Sequence, residues 1–386
     1  MTALYNLHVQ QNVTMGRYNG KKVPSCYHTP EIEYKAVREN ALLVDYSHLS
    51  IVRVNGDDAW SVVNHLVSAD ISIIRDEQGL YTLILDENGL ILGDAYVLCT
   101  DEGYYILSEN LSAEVIIQRL NSILATETAL DIQEEPDIAS MDSEAWGALL
   151  LEGPYSWEVL SQVYGFDIVG LPYHEYMNTD DGLMVFRCGK HGEFAYLLIG
   201  EKSQLASTWT QLLTLGEPFN LKTGGLDYQK IIRVENPCWD ADTYQAFSRC
   251  PVELQMQWAV QYDKEDFVGK AAISEKASRG ATRRLVGMMP LSAGSGIALG
   301  DKVMIADKEV GIIVKSAYSF ASRSDIILAL IDNDYAYSDI DGFDIHTVLG
   351  KVASRTHNMP FLHNFSLLVS PTEHSYIDDS KPKSSL

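Results

Sequence analysis

Positive charge is scarce in this chain. It carries 29 Lys and Arg against 53 Asp and Glu, a formal net charge of −24. That balance favours solubility and disfavours a phosphate-backbone partner. No run of Lys and Arg is long enough to suggest a local basic groove, so no nucleic-acid partner is expected. Long apolar runs are also missing, and without a stretch of about 18 such residues no membrane span is expected. The opening MTALYNLHVQQNV lacks the basic start and apolar block of a signal peptide. Cysteine is sparse: Cys26, Cys99, Cys188, Cys238 and Cys250 are odd in number and widely spaced, with no CxxC pair. Neither a metal site nor a disulfide framework is indicated, and a reducing cytoplasm is the expected setting.

What is present is a folded globular composition, 46% apolar over 386 residues. That length exceeds one ordinary core and predicts two or three domains. Residues 31–40 read as a short helix, 51–54 as a strand, and Asp57 or Asp58 as the cap of the next helix. A helix capped by Ser112 runs to Leu124. The acidic stretch 126–145 carries little pattern. Ala148 to Leu151 is an apolar strand ended by Glu152-Gly153-Pro154, and two strands around Gly189 to Glu193 precede a helix at 203–215. From Leu285 the texture turns to short strands (285–288, 302–305, 310–314, 326–331), which predict a small barrel or sandwich. The polar tail after Leu368 reads as mobile.

Residues 80–110 are the most informative segment, LYTLILDENGLILGDAYVLCTDEGYYILSEN. Alternating runs flank Asn88-Gly89, a hairpin signal because both residue types tolerate positive φ. The returning run places Asp94 among apolar residues with little positive charge nearby. A carboxylate so placed can have a raised pKa and act as acid or base. A strand-edge Asp on a solvated face is the plain alternative.

The order of motifs along the chain resembles the aminomethyltransferase (glycine cleavage T protein) superfamily, which includes folate-dependent demethylases. PSCYHTP with YKAVRENALLVDYSHLSIVRVNG, then GLYTLILDENGLILGDAYV, LLLEGP, PVELQMQWAVQYDKEDFVGKAAI and EVGIIVKSAYSFASRSDIILALI carry the likeness, over about residues 20–365. The resemblance implies an α+β fold of three domains in a cloverleaf, with antiparallel sheets, helices and a C-terminal β-barrel. The implied divisions are 1–50 with 141–240, 51–140 with 241–280, 281–366, and a flexible tail 367–386. It implies tetrahydrofolate-dependent transfer of a methyl or methylene group to or from a small N-, O- or S-substituted metabolite.

The resemblance also implies roles for residues. Asp94 matches the catalytic aspartate, and Asn110 stands where the family has a pterin-binding Asn, an amide offering donor and acceptor together. Tyr81 and Trp258 are further cofactor-side candidates, with core packing the alternative for Trp258. His48, Lys190, His191 and Tyr27 are candidates on the substrate side, with exposed loop positions the alternative for Lys190 and His191. Asp45-Tyr46-Ser47-His48 is too local for triad geometry and reads as a structural turn. Two departures stand out. The Glu that grips the pterin's guanidine-like edge in the family is Leu197 here, and the folate-tail Arg is Gln229, beside Lys230. A scaffold that has lost folate use, and a folate-binding protein without turnover, therefore stand beside the transferase reading.

Overall fold

The computed structural model describes residues 3–142, 145–292 and 296–383. The chain divides into two compact units. The first is Met1–Thr82, Asp94–Tyr228 and Asn364–Leu386; the second is Leu83–Gly93 and Gln229–His363.

Strands lying wholly or mainly in the first unit follow the chain as β1 (Thr14–Tyr18), β2 (Lys21–Cys26), β3 (Leu42–Asp45), β4 (Ser50–Asn55), β5 (Gly79–Leu85), β6 (Ile91–Thr100), β7 (Gly103–Ser108), β8 (Asp137–Ser140), β9 (Trp146–Glu152), β10 (Tyr176–Asn178), β11 (Met184–Cys188), β12 (Ala195–Glu201) and β13 (Lys222–Gly224). They form a hairpin, β1–β2, and two larger sheets. One is six-stranded in the order β10-β11-β12-β9-β3-β13; the other is five-stranded in the order β5-β6-β7-β4-β8. The middle of the six-stranded sheet is buried on both faces, which is why β9 and β12 read as continuous apolar runs rather than alternating ones. Its core includes Leu149, Leu151, Tyr196, Leu198 and Trp209. Helices Pro30–Glu39 and Ala113–Thr126 agree with the expected spans, and Ser112 Oγ caps the latter by accepting from Val115 N. Asp58 precedes the helix Ala59–Leu66 without a side-chain cap bond; its carboxylate accepts from Gln133 N and Glu134 N instead.

The expected hairpin at Asn88-Gly89 is present, with a longer turn than a two-residue connection. Asp86 Oδ1 accepts from Asn88 N and Leu90 N, each at 3.0 Å, and only Gly89 of the pair takes positive φ, at 67°. A Cβ on Gly89 would lie 2.6 Å from Ile273 N, so the turn needs glycine for close approach as well as for its backbone angle.

In the second unit, β14 (Arg283–Pro290), β15 (Lys302–Ile305), β16 (Lys308–Ser319), β17 (Ser324–Asp332), β18 (Phe343–Thr347) and β19 (Gly350–His357) close into a barrel ordered β14-β17-β16-β15-β18-β19. Val286, Ile313, Ile327, Ile331 and Phe343 fill it. Trp258, expected in a core or as a ring wall, is 69% exposed on the turn Gln257–Ala259 of this unit, which corrects the core packing.

The tail is also corrected. It packs on the first unit: Val369 is buried, Tyr376 N donates to Glu158 Oε2 at 2.7 Å, and the Tyr376 ring meets those of Tyr155 and Phe219. Its single large aromatic supplies the anchor that a reading of average polarity misses. No described helix is long and apolar enough to cross a membrane.

Candidate functional site

Asp94 lies on β6, and Ser108 Oγ donates to its carbonyl at 2.7 Å. Strand β6 pairs with β7 so that Tyr96 faces Leu107. Continued past the end of β7, that register brings position 94 level with Glu109, with Asn110 next. Strand order therefore assembles Asp94, Glu109 and Asn110 from one hairpin, and β5 adds Tyr81. The Tyr81 hydroxyl donates to Asp94 Oδ2 at 2.9 Å, and Asn110 Nδ2 donates to Oδ1 at 2.5 Å.

The expected lack of positive charge is overturned. Lys190 Nζ stands 2.5 Å from Asp94 Oδ2 and 3.4 Å from Glu109 Oε2. The exposed-loop alternative for Lys190 fails with it: the side chains of Lys190, Asp94 and Glu109 are 8%, 2% and 11% exposed. Sequence spacing could not reveal this, because the cation arrives from the β11–β12 turn, about a hundred residues along the chain.

That turn is held firmly. Gly192 takes φ 81° and donates to Gly189 O. Glu193 is buried and pairs with Arg38 Nη1 at 2.6 Å, and its Oε2 accepts from Ser366 N at 3.2 Å. Asn364 Nδ2 donates to His191 O at 3.1 Å. His191 is buried too, its Nδ1 2.9 Å from Glu152 Oε1, while the Tyr228 hydroxyl donates to Glu152 Oε2 at 2.7 Å. Burial works to raise the Glu152 carboxyl, but the charge and hydrogen bond of His191, the Tyr228 hydroxyl and the charge of Arg38 hold it below the usual carboxylate range.

Two small cavities adjoin this cluster, each with room for about one water molecule. Both are lined by Tyr96, Glu109, Lys190 and Leu197; Asp94 and Tyr81 also border one, and Tyr46, Glu152, Cys188 and His191 the other. The Tyr46 hydroxyl donates to Glu109 Oε1 at 2.7 Å. Burial pushes the Tyr96 phenol and the Cys188 thiol well above their ordinary values, reinforced for both by Glu109, so both keep their protons. Cys188 is thus no thiolate nucleophile. A larger cavity of about 250 Å³, bordered by Asp76, Glu102, Tyr105 and Trp146, contains none of the expected site residues. Among the described residues no group of His, Cys, Asp and Glu could hold a metal ion.

The other candidates fall elsewhere. His48 is buried behind the cluster, its ring 4.4 Å from that of Tyr46. Tyr27 belongs to a separate group: its hydroxyl meets His8 Nδ1, His8 Nε2 lies 2.8 Å from Asp45 Oδ2, and its ring stacks on Trp209. Asp45 Oδ1 accepts from Ser47 N, the structural turn that was expected. Gln229 is buried in the second unit, accepting from Arg233 Nη2 at 2.7 Å. The sequence reading missed Glu109 and Glu152 as site residues. Glu152 ends an apolar strand at a buried position, and Glu109 adjoins Asn110; those were the available signals.

Leu197 removes the family's carboxylate at its own position, but two other carboxylates stand close to it. A carboxylate is the natural partner of a guanidine-like edge. In the β9–β12 pairing Leu197 faces Leu150 and Ala195 faces Glu152, so Glu152 lies one pair along on the same face of the sheet. Glu109, on the same cavities, is a second carboxylate.

Comparison with known proteins gives a consistent result. Residues 4–264 match the GCVT N-terminal domain. The aminomethyltransferase of Caldanaerobacter subterraneus subsp. tengcongensis is 26% identical over 342 residues, covering 87% of this chain and 88% of that protein. That of Alkaliphilus metalliredigens is 30% identical over 344 residues, covering 87% and 90%. The crystal structure of glycine cleavage system aminomethyltransferase T from Bartonella henselae aligns with 94% of this chain and 98% of its own, with TM-score 0.77 at 19% identity, which shows a common fold.

Proposed function

The chain belongs to the aminomethyltransferase family marked by the GCVT N-terminal domain and is a one-carbon transferase, and we propose that Asp94 is the centre at which a methyl or methylene group passes between a small N-, O- or S-substituted metabolite and tetrahydrofolate. The observation that carries this reading is a buried carboxylate beside a cavity, with both oxygens fixed by donors from separate strands and loops.

Asn110, the Tyr96 ring and the carboxylates of Glu109 and Glu152 would hold the pterin. Tetrahydrofolate, when bound, supplies the nitrogen that takes or releases the one-carbon unit. With it bound, a methyl donor would exchange its carbon–heteroatom bond for a carbon–nitrogen bond. Asp94 supplies fixed negative charge beside the carbon that becomes electron-poor, a preorganised electrostatic contribution. Tyr81 and Asn110 keep the carboxylate from rotating, and the Tyr81 hydroxyl and the Lys190 ammonium are the proton-bearing groups on Oδ2. Leu49, Leu107 and Leu197 line the cavity and exclude water.

Asp94→Asn preserves shape and removes charge. It is expected to lower transfer to tetrahydrofolate by at least roughly a hundredfold with an unchanged far-ultraviolet spectrum. Full activity in that variant would reject the role. Calorimetric titration of the wild type with tetrahydrofolate separates the remaining readings: binding without transfer indicates a non-catalytic folate binder, and absence of binding indicates another ligand.

A further inference from the structure

We propose that Lys190 sets the charge class of the one-carbon donor. Its ammonium fills the cation position between Asp94 and Glu109, so the site takes a donor that is uncharged at the heteroatom bearing the transferable group and turns away alkylammonium and sulfonium donors. This rests on the reading of Asp94 as the transfer centre.

Two buried carboxylates facing one small cavity make a site for a cation by simple electrostatics. Here the cation is part of the protein. Nζ is 2.5 Å from Asp94 and 3.4 Å from Glu109, and the side chain is 8% exposed. Its placement is not that of a surface lysine swinging in from solvent. The turn that carries it is fixed by the Glu193–Arg38 pair and by donors from Asn364 and Ser366. With one ammonium already set against the two carboxylates, a cationic centre in this partly desolvated site gains roughly a hundredfold less in affinity than it would at the same carboxylates without Lys190. A neutral ether, thioether or amine-derived donor bears no such loss.

The test uses methylammonium chloride as the probe, with sodium chloride as the ionic control, followed by ligand-observed NMR and by tetrahydrofolate-coupled turnover. The wild type and Lys190→Arg should bind methylammonium no better than the control. Lys190→Ala should bind it, and Lys190→Ala combined with Asp94→Asn should lose that binding. In turnover, the ratio of kcat/KM for neutral over cationic donors should fall at least a hundredfold in Lys190→Ala, a change that a purely structural ion pair would not produce. If Lys190→Ala fails to fold, Lys190→Gln serves for both measurements. Methylammonium binding to the wild type as tight as to the variant, or an unchanged donor ratio, overturns the proposal. The probe measurement needs no turnover, so it stands or falls separately from the transfer reaction itself.

Discussion

Glu152 closes β9 with a charge in a position where the preceding residues are all apolar. Its carboxylate is reached by His191 on one oxygen and by the Tyr228 hydroxyl on the other. A glutamine there keeps an oxygen for Tyr228 and loses the charge. Glu152→Gln is therefore expected to weaken tetrahydrofolate about tenfold in a calorimetric titration and to lower stability by about 1–3 kcal/mol. The folded carboxyl titrates below its ordinary range. Its stabilising contribution is thus fully present above pH 4.5 and is lost as pH falls through the lowered folded value. Asp94 stood out in the sequence because its strand sets it among apolar residues, and Asn110 only through the family resemblance. Lys190 was legible only as a substrate-side candidate, since its partners lie far away in the chain. Glu109 and Glu152 were hidden because a carboxylate beside a strand end is ordinarily solvated, and only the tertiary fold buries these two.

At the scale of elements, an aromatic stack backs the site. His174 lies between Tyr173, with ring centroids 3.9 Å apart, and Phe186, and the Tyr96 ring meets its edge at 5.5 Å. Burial lowers the imidazole to about 4, so the folded stack holds it neutral while the unfolded chain protonates it near 6.5. The unfolded state then binds more protons between those values, and stability falls as pH drops from 6.5 towards 4, by up to roughly 3 kcal/mol. His174 has φ 65°, which asparagine tolerates. Thermal melts at pH 7.5 and 5.0 should therefore show a smaller acid loss in His174→Asn than in the wild type. The hairpins show how local signals succeed and fail. Asn88-Gly89 announced one turn because apolar alternation flanked it. Asn19-Gly20 makes another between β1 and β2, with φ 47° and 75°. No apolar alternation marks it, because its strands, TMGRY and KKVPSC, are polar and half exposed. Likewise β8 lies in the acidic stretch that had no pattern; its pairing with β4 comes from the sheet, not from its own composition.

For the whole molecule, the tail is part of the structure that holds the site. Ending the chain at His363 removes Val369 and Tyr376 from the first unit, leaves Glu158 and Glu193 without their tail donors, and frees the turn that carries Lys190. The expected loss is roughly 3–5 kcal/mol, with transfer activity falling alongside it. Calorimetric melts of the shortened and the 386-residue chains check this, and equal melting temperatures would refute it. The barrel strands 285–288, 302–305, 310–314 and 326–331 were readable from short apolar runs between turns, whereas β18 and β19 were masked by acidic and polar neighbours. The chain passes from the first unit to the second and back twice before ending in the first. On the ribosome this order has a cost in time. Residues 364–383 emerge only after the whole of 229–363, a delay on the order of ten seconds. At its end the second unit has all its parts, while the first still waits with the seats for Tyr376 and Ser366 uncovered. A nascent chain stalled near residue 363 should therefore be the form most readily seized by chaperones or cut by proteases.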